Sequence, residues 1–336
     1  MGGQRVANAL SAGRLGRHVV DVTRAGLLLA TSASVVLCAS VAAAGQGIDV
    51  TPVEISTPEG PARGLLAKVD LTDERVSVIV TAPLSSRDGL SPSANATLVD
   101  TQAWAVAEDA TLAINANYFG WLGKKAAGEP SQIMGLCVSD GVIVSPPRVH
   151  EGKPDPALIV VGEGLSRRAQ IGRLGLADIA GATHGVAGIG ASSTSDLEGS
   201  LLLTDGVNTA EQARVEPLVR HPRSAVGVNA EGTTLYVVAI DGRQPAHSVG
   251  VTLPELADYL KSVGARNALN LDGGGSTALI YRSRLEDGSV RELTNKPSDG
   301  KFRPVAVNLG FRLGLKTGSA DEVRDVPKAT TQGTGG

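Results

Sequence analysis

The segment Asp272-Gly273-Gly274-Gly275-Ser276-Thr277 places a carboxylate, three consecutive glycines and two hydroxyls in a row. Successive glycines reach backbone conformations closed to other residues and let a ligand approach the chain closely. Their N–H groups can then converge into a concave anion site, with Ser276 and Thr277 as further donors. No Lys follows the glycines, so the segment is not a P-loop, and its spacing is not that of a dinucleotide-binding turn. Taken alone, it reads equally well as a tight turn that needs glycine for steric reasons.

Three other stretches carry groups of compatible chemistry. Asn115-Ala116-Asn117-Tyr118-Phe119-Gly120-Trp121 holds three of the nine aromatic residues of the chain beside two amides. An aromatic face with amide donors suits a sugar, which makes Asn115, Asn117 and Tyr118 candidates for sugar binding. His221-Pro222-Arg223-Ser224 sets an Arg at the start of a strand, and its planar fork suits an oxyanion. Asp241-Gly242-Arg243 offers a second carboxylate, although an Asp-Gly pair after a strand is often only a turn. Arg303 opens the last strand and is a second candidate cation. His221 could act as a general acid, but a His beside Pro at a strand entrance is more often structural. The scattered histidines form no His-x-x-x-His pair, which argues against a zinc hydrolase. A calcium ion held by Asp272 and amide or backbone oxygens stays open as a cofactor.

These residues need a frame. Ala62 to Asp70 and Val76 to Val80 read as strands, and Leu98 to Glu108 as a helix with Val99, Ala103 and Val106 on one face. Ile133 to Val144 reads as a hairpin around Ser139-Asp140-Gly141, and Ser224 to Ile240 as another around Asn229-Ala230-Glu231-Gly232. Thr252 and Glu255 form a capping box. Behind it Leu253, Leu256, Ala257, Leu260 and Val263 make one buried stripe that Gly264 ends. The short apolar strand Ala268 to Leu271 runs straight into Asp272, and Val305 to Leu313 is the last strand. The segment from Pro146 to Leu218 fits no recognisable pattern. The pattern predicts a mixed α/β chain of the α+β class: one strand-rich catalytic domain with a few helices packed on the sheet.

Composition bounds the rest. With 336 residues the chain can bury a sizeable core, and 42 Gly with only 3% aromatics point to many turns and short strands. A net charge of −3 without runs of either sign gives no basic face for nucleic acid. Residues 1–44 combine Arg5, Arg14, Arg17 and Arg24 with an apolar run ending in Ala42-Ala43-Ala44, the pattern of a signal peptide or an N-terminal membrane anchor. The expected location is secreted or in the cell envelope, with membrane contact only through that segment. Residues 45–315 make the catalytic domain and residues 316–336 a polar, Gly/Thr-rich disordered tail. Cys137 is the only cysteine beyond the leader, so the exported part has no internal disulfide and no thiol-ligated metal.

The order N-x-N-Y-F, H-P-R-S-A-V-G, D-G-R, a capped helix, N-L-D-G-G-G-S-T and R-P-V-A-V-N resembles the phosphodiester glycosidase family, most strongly from Asn115 to Asn308. The resemblance implies hydrolysis of a sugar-1-phosphodiester, with a sugar-phosphodiester or phosphoglycan as substrate. On that basis Asp272 or Asp241 is the base or nucleophile. Arg223, Arg303 and the segment Gly273, Gly274, Gly275, Ser276 and Thr277 hold the phosphate, while Asn115, Asn117 and Tyr118 orient the sugar. A non-catalytic phosphoglycan-binding protein, or a transferase of exopolysaccharide assembly, would show the same features.

Overall fold

The computed structural model describes residues 47–314 except 87, 191–198 and 286. The expected leader and tail therefore lie outside the described residues.

The alternating run that ends at Asp70 forms the strand Gly60–Asp70, paired antiparallel with Ile48–Thr57. The pair edges a seven-stranded sheet that continues with Thr234–Ile240, Arg223–Val228, Asn267–Asn270, Leu201–Thr204 and Val207–Asn208. Within it the expected hairpin forms, with Arg223 opposite Ile240 and Val228 opposite Leu235. Every residue of Arg223–Val228 is buried, because both faces of the sheet are covered.

One face supplies Leu65, Val69, Val226, Val237 and Leu269 to a shared core. There they meet Val78, Leu112, Leu309 and Phe311 of a five-stranded sheet in the order Val290–Thr294, Leu279–Arg284, Leu112–Asn115, Asn308–Leu313, Val76–Val80. Leu158, Val160 and Val186 join from a second five-stranded sheet, ordered Val142–Ser145, Cys137–Ser139, Ala182–Ala187, Pro156–Val161, Arg168–Arg173. Most of that second sheet comes from the segment that sequence pattern alone left unassigned.

The opposite face of the large sheet carries Leu66, Ala225, Val238 and Ile240 under the helix Leu253–Ser262, which buries Leu253, Leu256, Ala257 and Leu260 against it. Full burial of side chains of this size stabilises by about 1.5–3 kcal/mol each. The capping box closes the helix start: Glu255 N–H donates to the Thr252 hydroxyl and Thr252 N–H to the Glu255 carboxylate. Gly264 ends it at φ +111°, where a Cβ would come within 2.5 Å of the Tyr236 hydroxyl.

Two expectations change. The first helix is shorter, Thr101–Ala107, because the Asp100 side chain caps it by accepting from Ala103 N–H. Its buried residues are Thr101, Trp104 and Ala105 rather than Val99, Ala103 and Val106, and Val106 is exposed. The last strand is interrupted: Pro304–Val305 pairs with Val99–Asp100, and pairing resumes at Asn308–Leu313 in another sheet. The whole is mostly β, with two α-helices among the described residues, each on an outer sheet face. The α+β expectation holds in that coarse sense.

Candidate active site

Asp272 stands where two sheets meet. It leaves the central strand Asn267–Asn270 of the large sheet just after Leu271, whose N–H donates to Ser224 O. Asp272 N–H then donates to Ala116 O at 2.9 Å, and the Asn115 amide donates to Asp272 O at 2.6 Å. Asn115 ends the strand Leu112–Asn115 of the five-stranded sheet, so the two sheets hold adjoining residues, Leu271 and Asp272.

The glycines turn the chain immediately. Gly273 is extended, Gly274 is left-handed at φ +61°, and Gly274–Ser276 makes one 3₁₀ turn. A Cβ on Gly274 would meet the Arg243 guanidinium at 3.2 Å, and one on Gly275 would run into the guanidinium of Arg303. Two arginines lie over the loop, and a side chain at either glycine would have to push a guanidinium aside.

A cavity of about 160 Å³ opens at this point, lined by Tyr118, Val215, Glu216, His221, Arg223, Arg243, Asp272, the three glycines and Arg303. Burial pushes the Asp272 carboxyl up to about 6, against the opposing pull of the Ser276 hydroxyl, Arg303 and Gly273 N–H. Burial and the neighbouring Asp272 charge hold the Tyr118 phenol well above its usual range. Its hydroxyl accepts from the Asn270 amide at 2.9 Å. Arg303 is bound to Asp299 at 2.7 Å and holds that carboxyl below the usual range.

The expected residues divide sharply. Asp272, Tyr118, Arg223, Arg303 and the glycines come together around one cavity. Asp241 does not join them. It lines a separate cavity with Arg63, His247 and Asn295. Its carboxylate is engaged by His247 Nε2 at 2.8 Å, Asn295 Nδ2 at 2.9 Å and Lys296 N–H at 2.9 Å.

Asn115 and Asn117 are likewise structural in geometry. Asn115 accepts from Ser224 Oγ at 2.7 Å and Ala278 N–H at 3.1 Å while donating to Asp272 O. Asn117 donates to Met134 O and Leu136 O and accepts from Ala187 N–H. Both amides are buried, and neither lines the cavity. Phe119 and Trp121 stack edge to face, 4.9 Å between centroids, and leave the cavity to Tyr118.

The anion nest is also largely engaged from within. Gly273 N–H serves the Asp272 carboxylate, Gly274 N–H donates to Pro222 O, Ser276 N–H to Gly273 O and Thr277 N–H to Gly274 O. Ser276 and Thr277 are buried behind the loop and do not line the cavity.

Arg223 is the largest revision. Its Nη1 donates to Val215 O at 3.0 Å, its Nη2 to Glu216 O at 2.8 Å and Val219 O at 2.9 Å, and its Nε to Val251 O at 3.4 Å. That leaves one Nη1 hydrogen of the fork for anything else. Burial lowers this guanidinium to about 10. The carbonyls it gathers belong to a loop in which Val215 and Glu216 are both left-handed, at φ +72° and +52°. Such conformations cost about 1–3 kcal/mol each and persist only where surrounding structure over-determines them.

Two charged cavity residues, Arg243 and Glu216, had no role assigned from sequence, and a third, His221, read more readily as structural than as a general acid. Arg243, at φ +59°, is exposed with its guanidinium over Gly274; the D-G-R triplet was its signal. Glu216 lies in the unassigned segment, with no motif to mark it. His221 bonds Glu216 through Nε2 at 2.8 Å and faces Arg243 Nη2 through Nδ1 at 3.3 Å. The lining holds two carboxylates, Asp272 and Glu216, and three guanidiniums, Arg223, Arg243 and Arg303, a balance that suits an anionic ligand.

Residues 108–312 match the sequence profile of the phosphodiester glycosidase family. Over 109 residues the chain is 31% identical to the SPbeta prophage-derived uncharacterized protein YomE of Bacillus subtilis strain 168. That match spans 29% of this chain and 17% of the other, under a fifth of its length. The fold is similar to the catalytic domain of zebrafish N-acetylglucosamine-1-phosphodiester alpha-N-acetylglucosaminidase, auto-inhibited by its pro-peptide. There the TM-score is 0.53 and the identity 20%, over 82% of this chain and 86% of that one. A hypothetical protein from Synechocystis gives a TM-score of 0.50 at 16% identity, over 80% of this chain and 62% of that one. At these identities the structural likeness speaks for the fold alone.

Proposed function

The chain belongs to the phosphodiester glycosidase family, and from that premise we propose that it hydrolyses a sugar-1-phosphodiester to free sugar and a phosphomonoester. The observation that carries this reading is the shared cavity of Asp272, raised to about 6, with Arg243 and Arg303. A diester anion drawn between the two guanidiniums brings its anomeric carbon to the carboxylate. Asp272 then serves as base towards water or as nucleophile, and the cations stabilise charge as it develops on the departing phosphate. Tyr118 supplies the aromatic wall for the sugar. Arg223 acts on the loop that walls the cavity, and Arg243 takes the phosphate-binding role that the sequence suggested for Arg223.

The basic leader and its Ala42-Ala43-Ala44 exit support an exported enzyme of envelope or extracellular glycan metabolism. The test is a screen of sugar-1-phosphodiesters with water as the only acceptor, detecting free sugar and phosphomonoester separately. Release of both in equal amounts is expected. Binding without release would make the protein a phosphoglycan binder, and sugar passed to an added alcohol but not to water would make it a transferase.

A further inference from the structure

The loop 214–219 is built against its own conformational preference. Val215 is β-branched, and a β-branched residue at φ +72° is a genuine outlier, here followed at once by a second left-handed residue. A buried guanidinium with three carbonyls of this loop in its fork holds it there. The strain has one evident product: Glu216 is delivered to His221, Oε2 to Nε2 at 2.8 Å, at the edge of the cavity that contains Asp272. Strain held in place by a dedicated clamp beside a reactive carboxyl is characteristic of functional sites. The other ring nitrogen of His221, Nδ1, looks toward Arg243, which lies over the glycine loop.

The geometry points to His221, oriented by Glu216, as the proton donor to the departing phosphate. This rests on the hydrolase reading above. Glu216 on Nε2 fixes the ring; Nδ1 faces Arg243 Nη2 as an acceptor and is freed to carry a proton to the phosphate when that guanidinium engages the anion.

In the step, water oxygen bonds to the anomeric carbon and gives its proton to Asp272. The bond from that carbon to the bridging oxygen breaks, its electron pair stays on the oxygen, and the oxygen takes the proton from His221. Free sugar and phosphomonoester leave. Asp272 returns a proton to solvent and His221 recovers one.

A donor of this kind matters most when the leaving group is basic. The experiment compares His221→Asn with the native protein on two N-acetylglucosamine-1-phosphodiesters, one carrying a methyl and one a dinitrophenyl group on the phosphate, reading free N-acetylglucosamine. The variant is expected to lose about 10²-fold in kcat on the methyl substrate and about a tenth of that on the dinitrophenyl substrate. Glu216→Gln, at a side chain 66% exposed and so tolerant of change, is expected to show the same bias to a smaller degree. Equal losses on both substrates, in either variant, would overturn the assignment while leaving the hydrolase reading intact. No release by the native protein from either substrate would overturn both.

Discussion

The amide of Asn115 donates to the backbone carbonyl of Asp272 across 2.6 Å, joining residues 157 apart in sequence. The same side chain accepts from Ser224 Oγ and Ala278 N–H. In this geometry Asn115 reaches the site through the peptide of Asp272. Asn115→Ala is expected to destabilise the fold by about 2–4 kcal/mol, because two buried donors lose their acceptor. Thermal unfolding checks this. A raised KM at native stability would restore the sugar-binding role.

Asp272 must be ionised to act as a base, so kcat/KM should fall as pH drops through about 6. Asp272→Asn should remove that limb and lower turnover about 10²-fold.

The same group links stability to pH. Its folded-state pKa lies above the unfolded value of about 3.9, so the protonated form favours folding. That contribution is complete below pH ~4 and is lost as pH rises through about 6. Asp272→Asn should therefore flatten the stability profile across this window, by up to about 2 kcal/mol. Denaturant unfolding at both ends of the window measures it.

Arg243 and Arg223 should separate cleanly. Arg243→Lys keeps the charge and loses the fork, so kcat/KM should fall about 10-fold at unchanged melting temperature. Arg223→Lys abandons several buried carbonyls and should instead destabilise by about 2–4 kcal/mol. Kinetics and melting on both variants decide the assignment.

Gly275→Ala places a methyl group where the Arg303 guanidinium lies. The guanidinium must move, so substrate affinity should weaken while the melting temperature changes less than for Asn115→Ala. Titration with inorganic phosphate as a competitive probe reads this directly. Native phosphate affinity in the variant would remove Arg303 from the anion site.

The frame was legible wherever local chemistry sets structure. The capping box at Thr252, the turn at Asp140-Gly141 and the glycine loop after Asp272 appear in place because each is decided within a few residues. The hydrogen-bond partners of Asn115, Asn117 and Arg223 were not legible. In sequence an amide beside a tyrosine looks the same whether it binds sugar or a carbonyl from a distant strand. Asn117 finds its partners at Met134, Leu136 and Ala187, which only the tertiary fold brings near. Arg223 looked like an anion ligand because nothing local shows that Val215, Glu216 and Val219 will turn their carbonyls inward. Glu216 had no signal at all, since its position depends on a backbone conformation that valine and glutamate ordinarily avoid.

Asp272 is gripped through its own N–H and carbonyl by Ala116 and Asn115, while its neighbours Leu271 and Gly274 are held by the carbonyls of Ser224 and Pro222. The carboxylate proposed as base or nucleophile is thus a gauge of how closely the two sheets lie. Warming or mild denaturant that lets the sheets drift apart by a fraction of an ångström would spoil the alignment of carboxylate and cations before any strand is lost. Inactivation should then run ahead of unfolding, and a tighter core between the sheets should extend the working temperature of the enzyme more than it raises its melting point.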